Sequence, residues 1–184
     1  MPEADSGFAG VRLARAGDEA QLFDLLTLMH GESGLASKSE ARVGAIVAAC
    51  CARRDHHLAG VIEGPDGIEG SIGMRLGQWW YTDDWHVEEI WNFVHPEFRG
   101  ARARKARHHG AITLPAHNRR LVEFAKWCAG QLGLPLIAGV LTRERLAPKV
   151  RLYQRQMPQI GALFLVTGEL PHSDFIPQRE FEAA

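Results

Sequence analysis

The 184-residue sequence has little cysteine, no strong charge of either sign, no long apolar run and no internal repeat. Each absence removes a class of protein. The three cysteines are Cys50, Cys51 and Cys128, two of them adjacent, and they match neither a disulfide framework nor a zinc set. Cys50 and Cys128 fall at apolar helix positions, so buried thiols in a reducing compartment are expected. A net charge of −1 gives no global attraction to nucleic acid or to a membrane surface. No segment approaches the roughly 20 apolar residues of a membrane span. The opening MPEADSGF is acidic and polar, unlike a secretory leader. The expectation is a cytoplasmic protein with no membrane partner.

What is present is ordinary for a soluble globular chain: 46% hydrophobic and 23% charged residues, enough to build one domain over residues 1–184 around a sizeable core. Residues 1–9 lack periodicity and read as a flexible lead. Val11 to Ala14 reads as a short strand. Asp18, with Gln21 three residues on, reads as a helix N-cap. Leu22, Leu25, Leu26 and Met29 follow at helical spacing, and the helix is expected to end in a breaker-rich loop from His30 to Gly34. Ser37 or Ser39 can cap a second helix with a stripe of Val43, Ile46, Val47 and Cys50. HHLAGVIE, the turn Pro65-Asp66-Gly67 and the run from Ile68 to Trp79 form an antiparallel hairpin. Gly70, Gly73 and Gly77 mark bends or close backbone approach in its second strand. The aromatic, acidic connection QWWYTDDW (Trp79, Trp80, Tyr81, Trp85) reads as a cap on the end of the sheet core, or else as a wall for a substrate or a dimer partner. Residues 169–184, with Pro171 and Pro177, read as a peripheral tail.

The chain is organised around residues 85–127. A strand, WHVEEIWNFV, leads through HPEFRG and a basic connection, ARARKARHHGAITLPAH, into a helix, NRRLVEFAKWC. Unpaired N–H groups and the helix dipole make such a helix start a plausible anion site. The insert at residues 101–117 concentrates Arg102, Arg104, Lys105 and Arg107 beside Arg99. Three readings stand: its arginines contact phosphate, it is a solvated loop, or it meets nucleic acid or another partner. His108, His109 and His117 have no carboxylate or cysteine at ligand spacing, so no metal is expected.

VHPEFRG followed by RRLVEFAKW resembles the central motif of the GNAT family, the Gcn5-related N-acetyltransferases. GLPLIAGVL is similar to that family's next strand, APKVRLYQRQMP to its next helix and QIGALFLV to the strand after. The resemblance covers roughly residues 11–167, and the C-terminal half looks most like phage-encoded members. It implies an α/β fold: a mixed, mostly antiparallel sheet of six or seven strands, with two helices early and two later. It implies acetyl-CoA, or another small acyl-CoA, as co-substrate and a small-molecule or protein amine as acceptor. By resemblance, pantetheine pairs with the backbone of Asn92, Phe93 and Val94, and an amide at Phe93 or Val94 polarises the acetyl carbonyl. Arg99, Gly100, Asn118, Arg119 and Arg120 would meet the pyrophosphate. The departure is the loop length: more than a dozen residues separate Arg99 from Arg119, and Ala116 and Asn118 stand where small loop residues are expected.

A general base must take a proton from an ammonium whose pKa lies near 10.4. Glu88 and Glu89 are the candidates, and strand alternation lets only one face the cleft unless a bulge intervenes. Glu88, six residues before Val94, has the spacing of the glutamate in histone-type members and ranks first. Tyr153 is the candidate acid for the departing thiolate. Glu32 and Ser33 border the acceptor by resemblance, or else lie in a solvated loop. A second reading keeps the fold without turnover: a binding module that uses its basic loop on a partner.

Overall fold

In a computed structural model of the chain, the described residues are Phe8, 10–33, 37–99, 116–140 and 146–157. Gly100, residues 101–115 of the basic connection, the expected strand QIGALFLV and the tail lie outside them, while the last residue of that connection, His117, opens a helix. The elements run β1 (Arg12–Leu13), α1 (Glu19–Ser33), α2 (Glu40–Ala52), β2 (His57–Gly64), β3 (Gly67–Gln78), β4 (Trp85–Val94), a 3₁₀ turn (Pro96–Phe98), α3 (His117–Leu132), β5 (Leu136–Ile137) and α4 (Leu146–Gln154). The sheet order is β1-β2-β3-β4-β5. Neighbours are antiparallel except for β4 and β5, which pair in parallel. This is the expected mixed, mostly antiparallel sheet with four helices, although the described residues form five strands rather than six or seven.

Both faces of the sheet are covered, which explains why β2 reads as an almost unbroken apolar run. One face packs Ile62, Ile72, Met74, Val87 and Val94 against Leu121, Phe124 and Cys128 of α3. The other packs Ala59, Val61 and Trp91 against Leu22 and Leu26 of α1 and Val47 and Cys50 of α2. All three cysteines are buried, and burial pushes their thiols up, to about 12 at Cys50 and Cys128 and about 11 at Cys51. Thiols that hold their protons so firmly serve packing.

Local details depart from the sequence pattern. Asp18 precedes α1, but its carboxylate takes the Arg12 guanidinium at 2.7 and 3.0 Å and the Arg15 N–H at 2.9 Å. Gln21 accepts from the Ile68 N–H of β3 at 2.9 Å, so it ties the helix to the sheet. The first helix runs through Glu32 and Ser33, which therefore lie in its last turn and not in a loop. Ser39 caps α2 by accepting from the Arg42 N–H. Ile46 faces outward, and Ala49 and Cys51 join Val47 and Cys50 on the buried side. The connection after β3 does not cap the core, since Trp80 is 93% exposed and Tyr81 66%. No described helix is long and apolar enough to cross a membrane.

The feature that matters most for the site is a bulge in β4. Gly73 pairs with Trp91 while Met74 pairs with Glu89, so Ile90 is an extra residue. Trp91 lies over Gly73 so closely that an added Cβ would sit 2.5 Å from its ring atoms, and its indole N–H donates to Ser71 Oγ at 3.1 Å. Gly73→Ala is therefore expected to lower unfolding free energy by about 1–3 kcal/mol through overpacking. Urea denaturation measures this, and an unchanged midpoint would mean that the indole is not seated against the strand.

Candidate active site

Side chains of a regular strand alternate between faces. The extra residue at Ile90 resets that alternation in β4. Val87, opposite Leu76, and Glu89, opposite Met74, share the face that carries α3. Beyond the bulge, Asn92 and Val94, opposite Ile72 and Gly70, share that same face. Glu89 and Asn92, three residues apart, thus point the same way, and Glu88 points the other.

Tyr153 of α4 meets this pair. Its hydroxyl donates to the Glu89 carboxylate, with both oxygens at 2.7 Å, and accepts from Asn92 Nδ2 at 3.0 Å. Burial pushes the Glu89 carboxyl up to about 7, against the opposing effect of the Tyr153 hydrogen bond. Burial and the adjacent carboxylate push the Tyr153 phenol well above its usual value. The result is a desolvated carboxyl that titrates near neutrality, joined directly to a phenol that keeps its proton. Glu88 lies instead on the surface, where Arg75 Nε and Nη2 both approach its Oε2 at 2.7 Å.

The strands part beside this cluster. The N–H of Val87 donates to Pro135 O at 2.9 Å, and β5 pairs with Val87 and Glu88 only. From Glu89 to Val94 the outer edge of β4 has no strand partner among the described residues. The N–H and C=O of one strand residue point to the same edge, and successive residues alternate. His95 N–H donates to Glu69 O of β3 at 2.8 Å, so Val94 and Asn92 present their backbone groups outward and Phe93 presents its own toward β3. Of the three residues expected to pair with pantetheine, Asn92 and Val94 have the open-edge orientation.

Arg99 crosses that edge. Its Nε donates to Val94 O, and its Nη1 reaches Glu32 Oε1 and Oε2 at 2.9 and 2.8 Å. The guanidinium also lies 4.4 Å from the centre of the Phe93 ring. Of the other residues expected at the pyrophosphate, Gly100 lies outside the described residues. Asn118 and Arg119 are exposed in the first turn of α3, which Ala116 leaves without a side-chain cap. Arg120 is buried and donates to Gly10 O. His117 is buried, pairs with Glu69 and stacks on Phe98. Among the described residues, no group of three or more His, Cys, Asp or Glu could hold a metal ion.

Sequence reasoning missed three contacts: the Asn92 side chain on Tyr153, the Glu32–Arg99 pair and the Glu69–His117 pair. They join residues 61, 67 and 48 positions apart. Such pairs leave no periodic trace. The bulge had one possible signal, since a glycine opposite a tryptophan on adjacent strands is a place where register can shift.

No family model matches the chain, and no curated protein matches its sequence. Solved structures do match. An integron cassette protein from the mobile metagenome of Cole Harbour Salt Marsh has a TM-score of 0.60 at 20% identity, covering 90% of this chain and 94% of that one. Ribosomal-protein-alanine N-acetyltransferase from Brucella melitensis biovar Abortus 2308 has 0.57 at 13% identity, covering 85% and 96%. AAC(6')-Iy, in complex with the bisubstrate analogue CoA-S-monomethyl-acetylneamine, has 0.58 at 11% identity, covering 87% and 97%. The fold is that of the GNAT acetyltransferases, as the sequence resemblance implies.

The raised pKa of Glu89 makes stability depend on pH. Unfolded, the carboxyl titrates near 4.3; folded, it titrates at about 7. The folded state holds the extra proton between those values, so stability present below about pH 4 is lost as pH rises toward 7. The full loss is on the order of 4 kcal/mol. Glu89→Gln should remove this decline in urea denaturation series from pH 5 to 8. A variant with the parent's slope would mean that the carboxyl is not desolvated.

Proposed function

We propose that the protein transfers an acetyl or other small acyl group from acyl-CoA directly to a primary amine. The observation that carries this reading is the Glu89–Tyr153–Asn92 cluster beside the outer edge of β4, which has no strand partner there among the described residues. The pantetheine arm would lie along that edge as an added strand, bonded to the backbone of Asn92 and Val94. The outward N–H of Asn92 would polarise the acyl carbonyl and hold the oxyanion formed on attack. Arg99 and the first turn of α3, with Asn118 and Arg119, would meet the diphosphate.

The protons balance within the cluster. Glu89, partly ionised at neutral pH, takes the proton that the attacking amine must lose. A hydroxyl has one donor and two acceptor positions. Asn92 Nδ2 fills one acceptor position on the phenol. Once protonated, Glu89 donates to the other and leaves the phenol's own proton free for sulfur. When the tetrahedral intermediate collapses, the C–S bond breaks, Tyr153 protonates the thiolate, and Glu89 returns a proton to the phenol. The amide and free CoA are the products. Glu88, paired with Arg75, is the less favoured base in this scheme.

The fold neighbours named as N-acetyltransferases support the reaction class, and the bisubstrate analogue supports CoA as the carrier. A second reading, a binding module without turnover, draws on Arg99 lying over the open edge. Calorimetry with acetyl-CoA separates the two: micromolar binding is expected of the enzyme and no heat of the module. Tyr153→Phe should lower turnover by about a hundredfold while leaving acetyl-CoA affinity nearly unchanged. A fully active variant would remove the acid role.

A further inference from the structure

The Glu32–Arg99 pair lies beside the outer edge of β4, where Arg99 also bonds Val94 O, and nothing in the reaction scheme uses Glu32. We propose that Glu32 is a cation site that Arg99 occupies until an acyl-CoA binds. An acyl-CoA diphosphate would draw Arg99 away, and Glu32 would then receive an ammonium group of a polycationic amine acceptor. This rests on the reading that the donor lies along the outer edge of β4.

The first argument is competition for one carbonyl and the space beside it. Val94 O points to the open edge and accepts from Arg99 Nε. A pantetheine laid there as a strand needs the same carbonyl for its own amide N–H. The guanidinium cannot keep its contacts with Val94, Glu32 and the Phe93 ring while that groove fills. It has a better partner available, because a diphosphate offers more oxygens and more charge to a planar fork than one carboxylate does.

The second argument concerns what is left behind. Glu32 sits in the last turn of α1, where the helix carbonyls carry partial negative charge. Its side chain is only 24% exposed, so solvent compensates the carboxylate incompletely. A carboxylate so placed favours a cation, as its two bonds to Arg99 Nη1 demonstrate. A primary ammonium is a compact charge with three donors and suits the vacated position.

The third argument identifies which nitrogen binds. Arg99 reaches Glu32 over Phe93, which faces the α1 side of the sheet, whereas Glu89 and Asn92 face the α3 side. The nitrogen being acylated must be at Glu89 and Tyr153. Glu32 therefore holds a different one, and the acceptor class is amines with two or more cationic groups. Because each ligand depends on the same arginine leaving the same carboxylate, donor and acceptor bind with positive, reciprocal coupling.

The test uses desulfo-CoA, which cannot react, and spermidine as the probe polycation, both by calorimetry on the full chain. In the parent protein, saturating desulfo-CoA should tighten spermidine binding by about fivefold or more. Glu32→Gln should bind desulfo-CoA about fivefold more tightly than the parent, because Arg99 is no longer held, and should lose the spermidine coupling. Arg99→Gln should bind spermidine without any donor and bind desulfo-CoA more weakly. A purely structural ion pair would give a lower melting temperature in both variants, no gain in donor affinity and no coupling, which would overturn the inference. Desulfo-CoA binding to Glu32→Gln alone would support it. Binding to neither protein would overturn the donor-site reading and this inference with it, whereas equal binding to both would overturn this inference only.

Discussion

One extra residue in β4 governs the arrangement of the site. A strand that alternated without interruption would set Glu88, Ile90, Asn92 and Val94 on one face. The bulge at Ile90 puts Glu89 beside Asn92 instead, with Tyr153 closing the cluster from α4. The same irregularity comes shortly after β5 has made its two pairings, where the outer edge of β4 has no further strand partner among the described residues. Trp91 holds the bulge in place: its ring fills the volume that Gly73 leaves empty, and its N–H is satisfied by Ser71.

Two adjacent glutamates acquire different chemistry from this shift. Glu88 stays in water with a guanidinium beside it. Glu89 is carried into a site where burial costs the charged form enough to bring its titration to about 7. The phenol against it is held protonated by the same burial and by the carboxylate's charge. Environment rather than residue type separates a surface ion pair from a group able to exchange protons at neutral pH.

Much of the fold was legible in the sequence. The helical spacing of Leu22, Leu25 and Leu26, the Ser39 cap and the Pro65-Asp66-Gly67 hairpin all correspond to observed elements, because each depends on neighbours within a few residues. The mixed sheet followed from the resemblance across β4 and α3. What could not be read was set by contacts over long sequence separations. Gln21 bonds across to β3 where a helix cap was expected, and Glu32 pairs with an arginine 67 residues away. The choice between Glu88 and Glu89 depended on a register shift that alternation counting assumes away. The outward-facing Trp80 and Tyr81 were legible as aromatic but not as exposed, since composition carries no information on which side of a turn faces water.

The arginine that crosses the edge of β4 has a consequence for how the protein behaves in a crowded solution. An unpaired strand edge is a template on which another polypeptide can add its own strand and begin a fibrous aggregate. Among the described residues the outermost strands, β1 and β5, are two residues each and offer little to copy. The stretch of β4 past Glu88 is longer and flanked by apolar side chains. A guanidinium fixed over one of its carbonyls places charge where such recruitment would start, so the edge is guarded against misassociation.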